Sequence, residues 1–305
     1  MEKLDKPGLF EQARPRLMGI AFRLLGSSAE AEDAVQDTAA KWLLANEETI
    51  RDPLGWMIRV CTNRCLDILG SARVSKTDYV GPWLPDQLVV DPEPDLSERL
   101  DRTASLTSAF LLLLERLTPK ERAAYLLHDI FGMAFREIAE TLQLSELHCR
   151  KLASRARKLV QSENVRFLPG EARQRELLDL FQVALQTGDL TGLAAALSAD
   201  ADFRADSGGK VTAVTEVVSG RHAVTDFISG TLLAAWSRLR AKPVRTNSGL
   251  GLLLLEPLAI HAIVTFGFDA SGRISNIFVV RNPEKIDRFL MQSYRVTDQG
   301  ELQRH

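Results

Sequence analysis

The sequence predicts a multidomain chain: two all-α helical domains, the second built on a helix-turn-helix, followed by an α+β domain. Three observations predict it. Apolar residues recur at helical spacing through residues 8–75 and again through about 97–161. Residues 120–158 read as a helix, a second helix, a tight turn and a basic third helix. After residue 171 two helices give way to strand-like runs separated by glycine-bearing turns, the order expected of an α+β domain.

In the first helical block Phe10, Ala13, Leu17, Ile20, Ala21, Leu24 and Leu25 form one apolar stripe. Gly26 and Ser27 break it, and Ser28 is the expected N-cap of an acidic helix that runs to about Asn46. Glu30, Glu32, Asp33, Gln36 and Asp37 give that helix a polar face; Ala34, Val35, Thr38, Ala39, Trp42 and Leu43 are expected to be buried. A third helix starts at Asp52 and Pro53, with proline suited to the first turn. It runs through Trp56, Ile58, Val60, Cys61, Cys65, Ile68 and Leu69 and carries Arg59, Asn63, Arg64, Arg73 and Lys76. Trp56 suits either the core or a stacked base, with core favoured.

From residue 77 to 101 the character changes. Pro82, Pro85, Pro92 and Pro94 forbid a continuous helix, and seven acids face only Arg99. An extended linker without a core of its own is expected. Beyond it, Ile138, Ala139 and Leu142 line one side of the second helix of the helix-turn-helix, Gln143 and Leu144 make the turn, and Ser145 caps the third helix. That helix bears Arg150, Lys151, Arg155, Arg157 and Lys158 against Glu146, over an apolar side of Leu147, Cys149, Leu152, Ala156 and Leu159. In such motifs the early residues of the last helix meet base edges and later cations grip phosphate. Ser145, Glu146, His148 and Arg150 therefore fall to bases.

The last domain is expected to hold helices at 171–187 and 190–198 and a helix at 222–239. Strands are expected at 201–205, 210–214, 244–247, 252–255, 259–269 and 274–280, with turns at 207–209 and 270–272. Its candidates for acid–base chemistry are His222, His261, Asp206, Arg221 and Asp226, and no Asp–His pair is recognisable by spacing.

Composition narrows the function classes. Hydrophobic residues are 45% and charged residues 26%, ordinary for a soluble protein, and no apolar run approaches the roughly 20 residues of a membrane helix. The N-terminus has no signal-peptide core, so a cytoplasmic protein with no membrane partner is expected. A net charge of −2 argues against a non-specific nucleic-acid coat while leaving local DNA binding open. The three cysteines give no disulfide framework; Cys61 and Cys65 share a helix face and read as small buried hydrophobes. No metal or cofactor is expected.

The order acidic helix, basic helix, acidic linker, helix-turn-helix resembles an extracytoplasmic-function (ECF) sigma factor. The residues that carry it are Ala31-Glu32-Asp33-Ala34-Val35-Gln36-Asp37, Arg64-Cys65-Leu66-Asp67, Leu117-Thr118-Pro119-Lys120-Glu121-Arg122 and Ser154-Arg155-Ala156-Arg157. Tyr79-Val80-Gly81-Pro82-Trp83-Leu84-Pro85, Asp206-Ser207-Gly208-Gly209-Lys210-Val211 and Asn282-Pro283-Glu284-Lys285 narrow it to the sigma-J-like subfamily with a fused SnoaL-like (NTF2-like) cone. Ser207, and Asp86 with Gln87, depart from that subfamily's usual residues.

The resemblance implies sigma region 2 at 1–76, the linker at 77–101, region 4 at 102–166 and the cone at 171–305. It implies that the polar face of the acidic helix docks on RNA polymerase core, that Arg59, Asn63, Arg64, Arg73 and Lys76 hold the melted −10 strand, and that the last helix of the helix-turn-helix reads the −35 duplex. Trp83, Leu84 and Pro85 of the linker, with Asp206, Gly208, Gly209, Lys210, Asn282, Pro283, Glu284 and Lys285 of the cone, are then the regulatory contacts. The implied function is to direct polymerase core to specific promoters, regulated in cis by the cone. Two alternatives stay open: a DNA-binding regulator that works without polymerase and senses a small ligand in the cone, and a fused SnoaL-type cyclase or isomerase.

Overall fold

The computed structural model describes residues 5–75, 79–88, 106–162, 168–257, 259–296 and 302–304. They pack as two units, Met1–Asp78 with Leu113–Glu163, and Tyr79–Leu112 with Asn164–His305.

The first unit is helical. Helix α1 (Lys6–Leu25) ends at Gly26, whose φ of 70° lets its N–H return to the Phe22 carbonyl. Helix α2 (Ser28–Leu44) starts one residue earlier than the sequence suggests: Ser27 is the N-cap, its Oγ accepting from the Glu30 N–H at 3.4 Å. It stops at Leu44, where Lys6 donates to the Leu43 and Ala45 carbonyls. Helix α3 (Pro53–Ser75) is capped by Asp52, which accepts from the Gly55 N–H. Leu17, Ile20, Leu24, Ala31, Trp42, Met57, Cys61 and Cys65 fill the core between these three. The two cysteines are buried as expected, and their mutual hydrogen bond holds the Cys61 thiol pKa down and pushes that of Cys65 up.

Leu43 breaks the expectation of burial and is 53% exposed. It follows Gln36 by seven residues, two turns, and so lies on the polar face.

After α4 (Ser108–Glu115) comes the helix-turn-helix. Helix α5 (Pro119–Tyr125) opens on a reciprocal capping box between Thr118 and Glu121. A π-helical turn (Leu126–Ile130) follows, then α6 (Phe135–Leu142) and α7 (Glu146–Ser162). Gln143, at φ 53°, makes the tight turn, and Ser145 Oγ accepts from the His148 N–H. Ile138, Leu142, Cys149, Leu152, Ala153, Ala156 and Val160 seal the packing. Within this unit Arg122, 4% exposed, donates to the Leu24 carbonyl at 2.5 Å and pairs with Glu115 at 2.9 Å. Arg16 donates to the Phe131 carbonyl, and Arg23 stacks over the Phe131 ring.

The second unit is a twisted sheet covered on both faces. It contains α8 (Glu171–Thr187), α9 (Thr191–Ala196), β1 (Leu197–Asp206), β2 (Val218–Ser219), α10 (Arg221–Phe227) and α11 (Leu233–Trp236). Next come β3 (Arg240–Thr246), β4 (Gly249–Glu256), β5 (Ala259–Phe268), β6 (Ile274–Val280) and α12 (Pro283–Ser293), with a short ladder of β7 (Tyr294–Val296) and β8 (Leu302–Arg304). The sheet order is β2-β1-β6-β5-β4-β3, with β1 and β6 parallel and the other pairs antiparallel. Alternation decides which side chain goes where. Leu252, Leu254, Val264, Phe266, Ile277 and Val279 meet Phe181, Phe203 and Trp236 on one face. Leu253, Ile263, Phe278 and Val280 meet Leu84, Ile286 and Phe289 on the other. Burial on both sides explains why β4 reads as an unbroken apolar run.

Two further expectations give way. Residues 210–214 are not a strand: the edges of β1 are taken by β2 and by parallel β6, and Gly208 and Gly209, both at positive φ, lead the chain away. The Thr212 carbonyl accepts from Arg281 instead. The helix expected at 222–239 is α10, a π-helical turn (Ile228–Leu232) and α11, ending at Trp236. The linker, expected to lack a core, contributes Leu84, Asp86 and Gln87 at 0–3% exposure to this unit.

Candidate nucleic-acid interface and linker seat

Helix α7 has two unlike faces. Cys149, Leu152, Ala153, Ala156 and Val160 point inward; burial pushes the Cys149 thiol pKa up. Ser145, Glu146, His148, Arg150, Lys151, Arg155 and Lys158 are exposed. Arg150 is held by Glu146 at 3.4 Å and by the Phe135 ring, 4.6 Å from its guanidinium. Phe135 in turn stacks at 4.0 Å on His128. Arg157 stands apart: it makes a bidentate pair with Asp129 at 2.8 and 3.0 Å, and that hydrogen bond raises its pKa further. Leu147, expected on the apolar side, is 64% exposed. It precedes Arg150 by three residues and Lys151 by four, which puts it on the cationic face.

On α2, Glu32, Asp33 and Gln36 are exposed, with Glu30 and Asp37 half-buried beside them. Asp37 pairs with Arg64 of α3 at 2.7 Å, so the structure joins two residues that the sequence assigns to different partners. Arg59 is exposed; Asn63, four residues on, shares its face. Trp56 is half-buried, its ring 5.7 Å from that of Trp42. Trp56, Arg51, Asp52 and Arg59 line a cavity of about 310 Å³ together with Met133, Glu137, Glu140 and Thr141. Lys76 and the Arg73 side chain lie outside the described residues.

The linker seat is built around Asp206, the last residue of β1, which is fully buried. Oδ1 accepts from the Tyr79 hydroxyl at 2.5 Å and the Gly208 N–H at 3.1 Å. Oδ2 accepts from the Leu84 N–H at 2.9 Å and the Lys285 ammonium at 2.7 Å. Lys285, 6% exposed, also donates to the Leu84 carbonyl, lies 4.6 Å from the Trp83 ring centroid and 3.9 Å from Asp86. Burial, then the neighbouring Asp206 carboxylate, drives the Tyr79 phenol pKa well above its usual value, so Tyr79 stays a donor. Asn282 donates to the Tyr79 oxygen at 3.1 Å and caps α12 by accepting from the Glu284 N–H. Pro283 takes the first helical position. A Cβ at Gly208 would strike Asn282 and Tyr79; one at Gly209 would press on Val80. Lys210 pairs with Glu284 and lowers its carboxyl pKa.

The linker and cone residues singled out in the sequence thus lie together, Pro85 buried among them. Sequence reasoning missed Tyr79 and Asp86. It also missed Asn247 and Ser248, the two-residue β3–β4 turn, which hold Leu88, Leu106 and Ser108. No motif marks that turn; only its partners, more than 100 residues upstream, reveal it.

The acid–base candidates do not converge. His222 and Asp226 are exposed on α10 and Arg221 is half-buried there. His261 Nδ1 lies 2.6 Å from Glu256, a carboxylate–imidazole pair that spacing did not suggest, with its ring edge-on to Trp236. Asp206 serves the linker. Among the described residues no cluster of three or more His, Cys, Asp or Glu suits a metal, and no helix is long and apolar enough to cross a membrane.

Comparison with known proteins bears on the whole chain. Residues 9–74 match the family model "Sigma-70 region 2" and residues 107–160 match "Sigma-70, region 4". The ECF RNA polymerase sigma factor SigJ of Mycobacterium tuberculosis is 36% identical over 72% of this chain and 71% of its own. A probable ECF sigma factor from the same species, SigI, is 30% identical over 90% and 92%. The crystal structure of M. tuberculosis SigJ superposes with a TM-score of 0.67 at 29% identity, covering 92% of this chain and 98% of that one.

Proposed function

The chain belongs to the extracytoplasmic-function sigma factors of RNA polymerase, and from that premise we propose how its surfaces share the work. It directs polymerase core to specific promoters, with helical regions 2 and 4 and an NTF2-like C-terminal domain. Glu30, Glu32, Asp33, Gln36 and Asp37 of α2 meet a basic surface of the core in the cytoplasm, where such pairing sets orientation and on-rate. Arg59, Asn63 and Arg64, continuing to Arg73 and Lys76, hold the melted −10 strand, for which a basic groove with stacking partners is the general solution.

At the −35 duplex, Ser145, Glu146, His148 and Arg150 meet base edges while Lys151, Arg155 and Lys158 hold phosphate. Arg157, occupied by Asp129, orients α7 instead. The C-terminal domain regulates in cis rather than as an enzyme: buried Asp206 is given over to the linker, and His222 and Asp226 lie exposed on α10, apart from the His261–Glu256 pair on the sheet.

One observation carries the regulatory reading. The tether between the two DNA-binding regions is seated on a buried, fully bonded carboxylate of the C-terminal domain. The test is reconstituted transcription with polymerase core, comparing the full chain with one ending at residue 167. Co-elution with core and promoter-dependent transcripts, with output changed by the truncation, are expected. Promoter binding without core would point to a stand-alone regulator, and equal output from both chains would remove regulation by the C-terminal domain.

A further inference from the structure

Two arginines of α7 are held in opposite ways, and the difference bears on what each can do. Arg157 is gripped by its edge: its Nε and Nη2 donate to Asp129 at 2.8 and 3.0 Å. A guanidinium carries every N–H donor in its plane, so a bidentate carboxylate takes up an edge that would otherwise meet a base or a phosphate. Arg150 is held by its face. Its guanidinium carbon lies 4.6 Å from the centre of the Phe135 ring. Only Nη2 reaches toward an acid, Glu146, at a long 3.4 Å. Stacking on a ring engages the guanidinium face and leaves the in-plane donors available.

The Phe135 ring is fixed from behind. His128 stacks on it with centroids 4.0 Å apart and planes at 31°. With one face of the ring filled this closely, the guanidinium occupies the other. His128 is fixed in turn, because the Met133 carbonyl accepts from its Nδ1 at 2.9 Å. His128 and Asp129 are consecutive residues of the π-helical turn Leu126–Ile130. One wide turn ahead of the motif therefore sets both arginines: His128 sets Arg150 through Phe135, and Asp129 sets Arg157 directly.

Packing of α6 does not demand an aromatic at its start. The buried side chains of this helix are Ile138, Thr141 and Leu142, and Phe135, its first residue, is half-buried. The helix start is secured separately, by Glu137 accepting from the Ala134 N–H at 2.8 Å.

We propose that Phe135, braced by His128, determines specificity at the −35 element by presenting the Arg150 guanidinium edge-first to a guanine. It is a positioning residue: it acts through Arg150 and touches no base. The inference deepens the −35 reading of α7 given above and rests on it.

Edge-first presentation is what a bidentate contact requires. Guanine offers O6 and N7 side by side in the major groove, and two N–H groups of one guanidinium edge meet them only when the plane is correctly turned. An arginine free in solvent loses rotamer freedom on making that contact. Stacked on Phe135, Arg150 has given up part of that freedom beforehand, and its exposed bond to Glu146 is cheaply broken. A phosphate carries no sequence information, so the platform bears on base discrimination and not on general affinity.

The test uses holoenzyme reconstituted from polymerase core and the full chain, with promoter fragments in which −35 base pairs are replaced one at a time. Competition among the fragments gives discrimination at each position. Phe135→Leu keeps apolar bulk and removes the π face. It is expected to lower discrimination about twofold to fivefold, the strength of an exposed cation–π contact, at the base pair where Arg150→Ala acts and at no other. Phe135→Tyr, which keeps a ring, should discriminate as wild type does. In the Arg150→Ala background Phe135→Leu should change discrimination no further, because the residue it acts through is gone. The salt dependence of binding should stay as in wild type, no phosphate contact being lost. Three results overturn the platform: wild-type discrimination in Phe135→Leu, an equal weakening of all fragments, or an effect that persists without Arg150. Wild-type discrimination in Arg150→Ala instead overturns the base-reading role beneath it, so the two failures are read from different variants.

Discussion

The recognition helix and the linker seat both depend on cations, and they use them in opposite ways. On α7, Arg150, Lys151, Arg155 and Lys158 stand in solvent, loosely tethered or free to turn toward a phosphate. At the linker seat Lys285 is 6% exposed and every group it faces is internal: Asp206, the Leu84 carbonyl, Asp86 and the Trp83 ring. An exposed cation contributes little to stability and is available to a ligand. A buried one is costly to strand and holds its neighbours in a single arrangement. Charge alone, read from sequence, does not tell the two apart; burial does.

The comparison breaks hardest at Asp206. Asp206→Ala leaves Lys285 buried without its carboxylate and should destabilise the C-terminal unit by about 3–5 kcal/mol, seen as a lowered unfolding midpoint in denaturant. Asp206→Ala paired with Lys285→Met should recover much of that loss, because no unpaired charge remains. An equal loss in both would place the stability in packing rather than in the ion pair.

On the recognition helix the effects are smaller and fall on binding. Arg150→Ala should cost about 1–3 kcal/mol at one base-pair position if its contact is bidentate to guanine, measured by competition among single-substituted −35 duplexes. Lys158→Ala should weaken all duplexes alike and reduce the salt dependence of binding by about one counterion. Arg157→Ala separates the two roles within one helix. It should lower stability by about 0.2–1 kcal/mol, as a partly exposed ion pair does, and leave the salt dependence unchanged; a shallower salt slope would make Arg157 a phosphate ligand after all.

The least change is expected from pH at Tyr79. Its phenol pKa is raised in the folded protein, so the stability it contributes is fully present below the free phenol value of about 10 and declines only as pH rises through the folded value. Protection factors of the linker amides at residues 79–84, measured by hydrogen exchange, should therefore be flat from pH 6 to about 9. Loosening within that window would mean the Asp206 contact is not made by a protonated phenol.

Much of the architecture was legible because periodicity reports burial directly. The span of α8, the helix-turn-helix with its Gln143 turn and Ser145 cap, and the apolar runs of β4 to β6 follow from spacing. What stayed hidden depended on distant partners. Nothing local to residues 79–88 says that a proline-rich acidic stretch will bury Leu84, Asp86 and Gln87; the complementary Lys285 and Arg288 lie about two hundred residues away. Leu43 and Leu147 were misread because hydrophobicity was counted without the helical phase that sets each on the polar side. The candidate DNA-facing cations were visible as a class, but only the Asp129 pair distinguishes Arg157 from its neighbours.

The claim beneath all of this is that the linker is seated on the C-terminal domain before polymerase arrives. Residue-resolved amide hydrogen exchange on the full chain measures it directly, because the Leu84, Leu88 and Ser108 amides donate to Asp206, Asn247 and Ser248. Slow exchange at all three in the free chain is the predicted result. Exchange at unprotected rates in the free chain would contradict it.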